Sequence, residues 1–438
     1  MKCPVCGKRY TATICPDCGF DDSRNYERYP TFGQISGVPS ISSRRRRWND
    51  RTGGRKTSPG RHPFLTAVAC AAILMLGIWI GTGIGSSKTT QPPESEQLQS
   101  PPETTAPSES GWEANLLRAD PVPYQSKYAW DRGDEAKVFP VLGSEYRREQ
   151  IASVTFLDTL ADAPEDVWDV SEAGDGRVVA WVTPANELYD LYIAAESGVN
   201  AANACADLLA GYSNAKTINF GEAFHTTGAT DMSCMFLGCQ ALSKLPLGDS
   251  FDTSAVQDMS NMFYYCRSLT DLTLEDSFDT SAVQDMSGMF SHCEALTDLT
   301  LGDSFDTSAV RDMSWMFSHC EALTDLTLGD SFDTSAVQDM NGMFSSCYSL
   351  TDLTLGNSFD TSAVQDMSDM FYHCEALTDL TLSDSFDTSA VQDMSYMFNW
   401  CSSLTDLTLG DSFVTDHAST YKMFSDCPAG ADYQHLLN

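Results

Sequence analysis

Basic residues are scarce in this chain: 26 Lys plus Arg stand against 61 Asp plus Glu, a formal charge of −35. A deficit on that scale excludes the bulk of the chain from binding nucleic acid, which demands a cationic footprint. Catalytic signatures are missing as well. There is no G-x-S-x-G elbow, no glycine-rich phosphate loop and no H-E-x-x-H, and the 7 histidines are too few outside one repeat column to assemble a base. The chain is therefore expected not to be an enzyme, a hydrolase within residues 112–215 being the least favoured reading. A disulfide scaffold is also excluded, because the 15 cysteines are spaced too regularly in too long a chain.

The basic residues that exist gather at one end. Residues 1–88 carry 14 basic and 5 acidic side chains, a net of +9, and residues 89–438 carry 12 and 56, a net of −44. The chain opens with Cys3-Pro-Val-Cys6-Gly and, after a short spacer, Cys15-Pro-Asp-Cys18-Gly. Two C-x-x-C knuckles closed by glycine aim four thiolates at one point, as in a zinc ribbon. Residues 1–20 are expected to hold a structural Zn²⁺ with no coordination position left for a substrate. A basic linker occupies 21–63, with Arg44 to Arg47 in a row.

Long apolar runs are confined to one segment, 64–85, which contains no charged side chain. Its 22 residues would span roughly 33 Å as a helix, enough to cross a hydrocarbon core. The basic side precedes the run, so the positive-inside rule leaves the N-terminus in the cytoplasm and exports the remainder of the chain. No A-x-A site comes after the run, which places a signal anchor ahead of a cleaved signal peptide. Residues 86–111, built from Ser, Thr, Pro, Glu and Gln, read as a disordered stalk.

From Phe224 onward the sequence repeats every 27 residues, and Phe251, Phe278, Phe305, Phe332, Phe359, Phe386 and Phe413 keep the register. The period indicates a solenoid over 216–427, with a lead-in and cap at 112–215 and a C-terminal cap at 428–438. Within one unit, Leu296-x-x-Leu299-x-Leu301 ends in the alternation of a short strand. Val283, Met286, Met289, Phe290 and Cys293 fall at the spacing of one apolar helix face, preceded by the capping-box pattern Ser281-x-x-Gln284. In one unit Arg311 replaces that glutamine. The expectation is an α/β solenoid of parallel strands and short helices, with eight stacked strands counted from Ile218.

The repeated Phe-Asp-Thr-Ser-x-Val-x-Asp-Met-Ser-x-Met-Phe-x-x-Cys-x-x-Leu resembles the BspA-like leucine-rich-repeat surface proteins of bacteria, from about Ile151 to the end. The resemblance implies surface display, adhesion to host or bacterial macromolecules for some members, and no enzymatic activity. It does not extend to the ribbon or the anchor.

Equivalent positions in successive units form columns. The cysteines from Cys239 to Cys427 are expected inside, as free thiols packing like small hydrophobes. Asp271, Asp298, Asp325, Asp352 and Asp379, with Asp406, are expected in a row on the outer strand face. Ca²⁺ is not favoured there, since no twelve-residue loop or nonapeptide calcium repeat is present. His292, His319 and His373 are expected to face solvent. The units differ most on one flank, which carries Trp315, Tyr396, Trp400 and Tyr265. Exposed aromatics mark protein-binding surfaces, so this flank and the aspartate row are the candidate partner sites. The sequence thus describes a membrane-anchored surface protein that binds a macromolecule. The alternative is an envelope sensor that signals through the ribbon.

Overall fold

The computed structural model describes residues 111–122, 139–274, 278–302 and 304–437. The cysteines expected to form a zinc ribbon, the basic linker, the apolar run and the expected stalk up to residue 110 lie outside the described residues. Among those described, no helix is long and apolar enough to cross a membrane.

The lead-in is a sheet. Strands β1 (Ile151–Leu157), β2 (Trp168–Asp169), β3 (Val179–Ala185), β4 (Leu188–Ala194), β5 (Val199–Asn200), β6 (Thr217–Asn219) and β7 (Phe224–His225) precede the regular units. A five-stranded sheet runs in the order β2-β3-β4-β1-β6. Strands β3 and β4 pair antiparallel around a tight turn, where Asn186 takes the left-handed conformation that asparagine tolerates (φ 58). Strand β6 belongs to the first coil and pairs in parallel with β1, Val154 opposite Ile218. Phe156 packs on Phe220 and Phe224, at ring-centroid distances of 5.6 and 4.4 Å. The cap and the first coil thus share one core.

Arg148 fixes that junction. Its side chain is 2% exposed and donates to the carbonyls of Asp207 (2.8 Å), Ala210 (2.6 Å) and Asp120 (2.7 Å), while pairing with the Asp120 carboxylate at 3.0 Å. A buried guanidinium is tolerated only when its fork is satisfied in this way. Nothing in its local sequence singled it out.

The regular units carry β8 (Asp271–Leu274), β9 (Asp298–Leu301), β10 (Asp325–Thr327), β11 (Asp352–Thr354), β12 (Asp379–Leu382) and β13 (Asp406–Leu409). Each pairs in parallel and in register, Asp opposite Asp and Leu opposite Leu. This is a leucine-rich-repeat-like solenoid, with two departures from expectation. The strands join two by two, β8 with β9, β10 with β11 and β12 with β13, rather than in one eight-stranded stack. The coil before β8 contributes only a bridge, Lys244 opposite Asp271.

The second departure is the helix. Among the described residues there is no α-helix, only 3₁₀ turns at Gly111–Ala114, Arg148–Gln150, Pro428–Ala431 and Gln434–Leu436. The segment from Met286 to Cys293 is a ribbon of turns. Its N–H groups at Met286, Gly288, Phe290 and His292 donate to Asp312, Ser314, Met316 and Ser318 of the next coil. Those at Met289, Ser291 and Cys293 close turns back to Met286, Gly288 and Phe290. Positive φ at Gly288 (62°) and His292 (60°) breaks any helical run. The apolar side chains still point inward, as the spacing required: Val283, Met286, Met289, Phe290 and Cys293 are fully buried.

The supposed capping box also has another use. Asp279 Oδ1 accepts from the Ser281 N–H at 2.9 Å, and Asp285 Oδ1 accepts from Ser287 N–H (2.9 Å) and Oγ (2.7 Å). Both Asp-x-Ser groups are therefore Asx turns. Between them, Thr280 Oγ1 donates across to the Asp306 carbonyl at 2.7 Å, and the same bond recurs at Thr307, Thr334 and Thr361. The motif encodes coil-to-coil stitching.

Two phenylalanine columns fill the core. Phe236 to Phe424 stack at 5.3–5.7 Å between successive centroids, and Phe251 to Phe413 at 6.2–6.5 Å. Beside them the cysteines are buried and free. From Cys239 to Cys401 each thiol in the column reaches back to a carbonyl of the preceding coil, for example Cys347 Sγ to Phe317 at 3.1 Å and Cys401 Sγ to Phe371 at 3.0 Å. Burial pushes the Cys347 thiol up to about 12, so it stays unreactive at neutral pH. In the native full chain, mass mapping after treatment with a thiol reagent should find Cys239 to Cys401 unmodified. In denaturant without reductant they should all react. Rapid native labelling would place the column at the surface.

Candidate functional site

The flank of variable residues coincides with the two left-handed positions of the turn ribbon. One column reads Asn261, Gly288, Trp315, Gly342, Asp369, Tyr396 and Lys422, all at positive φ. The other reads Tyr265, His292, His319, Ser346, His373, Trp400 and Asp426, also at positive φ. Glycine and asparagine occupy such positions readily, whereas a bulky residue there costs on the order of 1–2 kcal/mol. Trp315, Tyr396 and Trp400 bear that cost at φ 58–63°. Gly342 is required by more than conformation: a Cβ there would lie 2.5 Å from the Trp315 indole, which leans over it.

The second column is a stack of rings. Tyr265 and His292 stack at 4.3 Å, and His292 and His319 at 4.2 Å, their planes within 11°. Ser346 interrupts the stack, which resumes with His373 on Trp400 at 5.3 Å and 3°. Tyr265 and His292 are consequently buried, which corrects the expectation of a solvent-facing histidine row and removes Tyr265 from any accessible partner surface. Burial, then the charge of its neighbour His319, pushes His292 down to about 2, and burial leads the fall of His319 to about 4. Both are neutral at physiological pH. The His373 Nδ1 lies 2.9 Å from Glu375. Among the described residues no three His, Cys, Asp or Glu converge on a metal-binding geometry.

The accessible part of the flank lies toward the C-terminal end. Trp400 is 42% and Tyr421 58% exposed. Tyr396 meets Tyr421 edge-on at 5.4 Å, and the Lys422 ammonium sits 5.7 and 5.6 Å from those two rings. Trp315 is half-buried. Tyr421, Lys422 and Asp426 do not stand out in the sequence, because the last unit is one residue short and its register slips.

The outer aspartates sit where the strand alternation placed them. Asp298, Asp325, Asp352 and Asp379 are exposed, and each accepts a hydrogen bond from the preceding threonine hydroxyl at 2.7–3.1 Å. Asp271 is held by Lys244 at 3.0 Å. Thr378, Asp379, Thr381, Thr405, Asp406 and Thr408 line an open, polar groove of about 460 Å³.

A second aspartate column, unanticipated from the sequence, lies on the turn ribbon. Parallel bridges run without a break from Asp231 through Asp258, Asp285, Asp312, Asp339, Asp366 and Asp393 to Ser419. Burial, then neighbouring carboxylates, pushes Asp285 and Asp339 up to about 7; burial also raises Asp312. The Asp-Met-Ser recurrence was the available signal.

A comparison with curated proteins finds no match. Among solved structures, a leucine-rich repeat protein from Bacteroides ovatus is similar at 14% identity and a TM-score of 0.31, over 65% of this chain and 75% of that one. A family model described as "Mycoplasma protein of unknown function, DUF285" matches residues 206–328 and 323–433, more than half of the chain. The chain belongs to the DUF285 family.

Proposed function

We propose that this is a membrane-anchored surface protein that binds another macromolecule through the exposed end of its aromatic flank. The observation that carries the reading is the placement of Trp400 and Tyr421, the large apolar side chains left exposed on the described surface, on the flank where the units differ. Strained aromatics are retained there although glycine fits the same columns at lower cost. The anchor at 64–85 and the structural Zn²⁺ at Cys3, Cys6, Cys15 and Cys18 rest on their sequence patterns. The test is capture from host and bacterial surface extracts by the detergent-solubilised full chain, with and without calcium. The expected result is a captured macromolecule that is lost with Trp400→Ala plus Tyr421→Ser and kept with Asp325→Asn plus Asp352→Asn. Equal capture by both variants would move binding off the flank. Protease added to protoplasts should remove the repeats and spare the ribbon; a protected repeat region would reverse the orientation.

A further inference from the structure

The ring column ends differently at its two ends. At the N-terminal end, the Arg267 guanidinium lies 4.7 Å from the Tyr265 ring centroid and pairs with Glu294 of the next coil at 3.1 Å. The first ring is thus covered by a planar cation whose charge is met by a carboxylate one coil away. At the C-terminal end, Trp400 is the last ring, with His373 parallel to it on one side. The next coil carries no ring in this column. The Trp400 backbone N–H donates to the Ser425 carbonyl at 2.9 Å, which brings Asp426 into the position beyond it. Among the described residues no cationic side chain lies over the indole, and Lys422 is committed to Tyr396 and Tyr421.

We propose that Trp400 and Asp426 form a slot for an arginine side chain of a basic partner polypeptide. The bound guanidinium continues the ring stack on the indole and pairs with the Asp426 carboxylate, as Arg267 does with Tyr265 and Glu294 at the other end. Indole is the most favourable ring for a cation, and a planar guanidinium stacks where an ammonium does not. The net charge of −44 over residues 89–438 favours the approach of a basic chain over that of an acidic one. This assignment rests on the flank reading and adds the chemistry of the partner.

The test uses the full chain in detergent at about 0.15 M salt, where long-range attraction is screened to about 8 Å. Fluorescein-labelled peptides of nine arginines and of nine lysines are titrated by anisotropy. The arginine peptide should bind more tightly, by roughly five- to thirty-fold, the range a desolvated cation–π contact spans. Trp400→Ala should abolish that preference while Trp400→Phe keeps part of it, and Asp426→Asn should weaken the arginine peptide. Asp379→Asn plus Asp406→Asn should lower both affinities alike and leave the preference intact. Unchanged thermal unfolding shows that a variant remains folded. Equal binding of the two peptides, or a preference that survives Trp400→Ala, overturns the slot. If Trp400→Ala loses capture of a surface macromolecule but the peptides bind equally, the flank reading stands and the arginine assignment falls.

Discussion

Deleting residues 151–212 should leave a repeat array that aggregates rather than a soluble, shortened solenoid. The deletion takes away β1, and with it the partner of Thr217, Ile218 and Asn219. The first coil then presents an unpaired strand edge, a template for association with another chain. It also uncovers Phe220 and Phe224, which are fully buried under Phe156 and its neighbours. Repeat arrays depend on capped ends because each unit buries its apolar edge on the next. A point variant reaches the same junction without removing it. Arg148→Ala removes the guanidinium that donates to the carbonyls of Asp207, Ala210 and Asp120 and pairs with the Asp120 carboxylate, and loss of one partner of a buried ion pair costs about 3–5 kcal/mol. Light scattering of the deletion and chemical unfolding of the point variant provide the measurements. A monodisperse deletion together with an Arg148→Ala midpoint equal to that of the parent would show that the lead-in is dispensable.

The dependence of the array on its lead-in was legible from the 27-residue register and the aromatic residues before it. The sheet order was not, because β1 pairs in parallel with two strands from later in the chain. Leu272, Leu299 and Leu326 alternate with outward residues, and that alternation admits one local conformation. Val283, Met286, Met289, Phe290 and Cys293 admit two. Spacings of three and four place side chains on one side of a helix, and equally on one side of the turn ribbon that alternates cross-coil bonds with three-residue closures. The two left-handed residues four positions apart, Gly288 and His292 in this unit, decide between them. Only the glycines and the asparagine in the Gly288 column hint at it; Trp315, His292 and Trp400 conceal it. The ring stack was hidden for a related reason. Tyr265, His292 and His319 are 27 residues apart, and nothing local to any of them distinguishes a side chain that faces water from one that lies against its equivalent in the next coil.

The inner aspartate column should make the protein lose stability as pH rises from about 4 to about 7, and the histidine stack should oppose that loss up to about pH 6.5. The carboxyl groups of Asp285 and Asp339 are held up at about 7, by burial first and by the charges of Asp258, Asp312 and Asp366 next. In the unfolded chain they titrate near 3.9. Between those values the folded state retains protons that the unfolded state has released, so stability falls as pH rises and is lowest above about 7. The histidines act in the opposite direction. His292 and His319 are held down to about 2 and about 4, below an unfolded value near 6.5. Their contribution is complete above that value and is lost as pH falls through the folded ones. Between about 6.5 and 7.5 these histidines no longer bear on stability and the aspartates do, which separates the two effects; above that range the buried thiols, which ionise only in the unfolded chain, also draw stability down. Asp312→Asn keeps an oxygen to accept the Ser314 N–H, now made by Asp312 at 2.9 Å, and removes the charge between two others. It should stabilise the protein at pH 8 by on the order of 2 kcal/mol, through the lost desolvation of one carboxylate and the relief of its neighbours Asp285 and Asp339. At pH 5 only about a third of the gain should remain, and it should vanish near pH 4. His292→Tyr, which places the side chain of Tyr265 in the next coil, should change the pH dependence only below about 6.5, where it removes the rise that opposes the aspartates, and leave the alkaline limb alone. Asp325→Asn, on the exposed strand face, should shift neither by more than about 0.5 kcal/mol. Denaturant midpoints measured from pH 4.5 to 8.5 decide the matter: an alkaline limb that is the same with and without Asp312 would show that the inner column is fully ionised and costs the fold nothing.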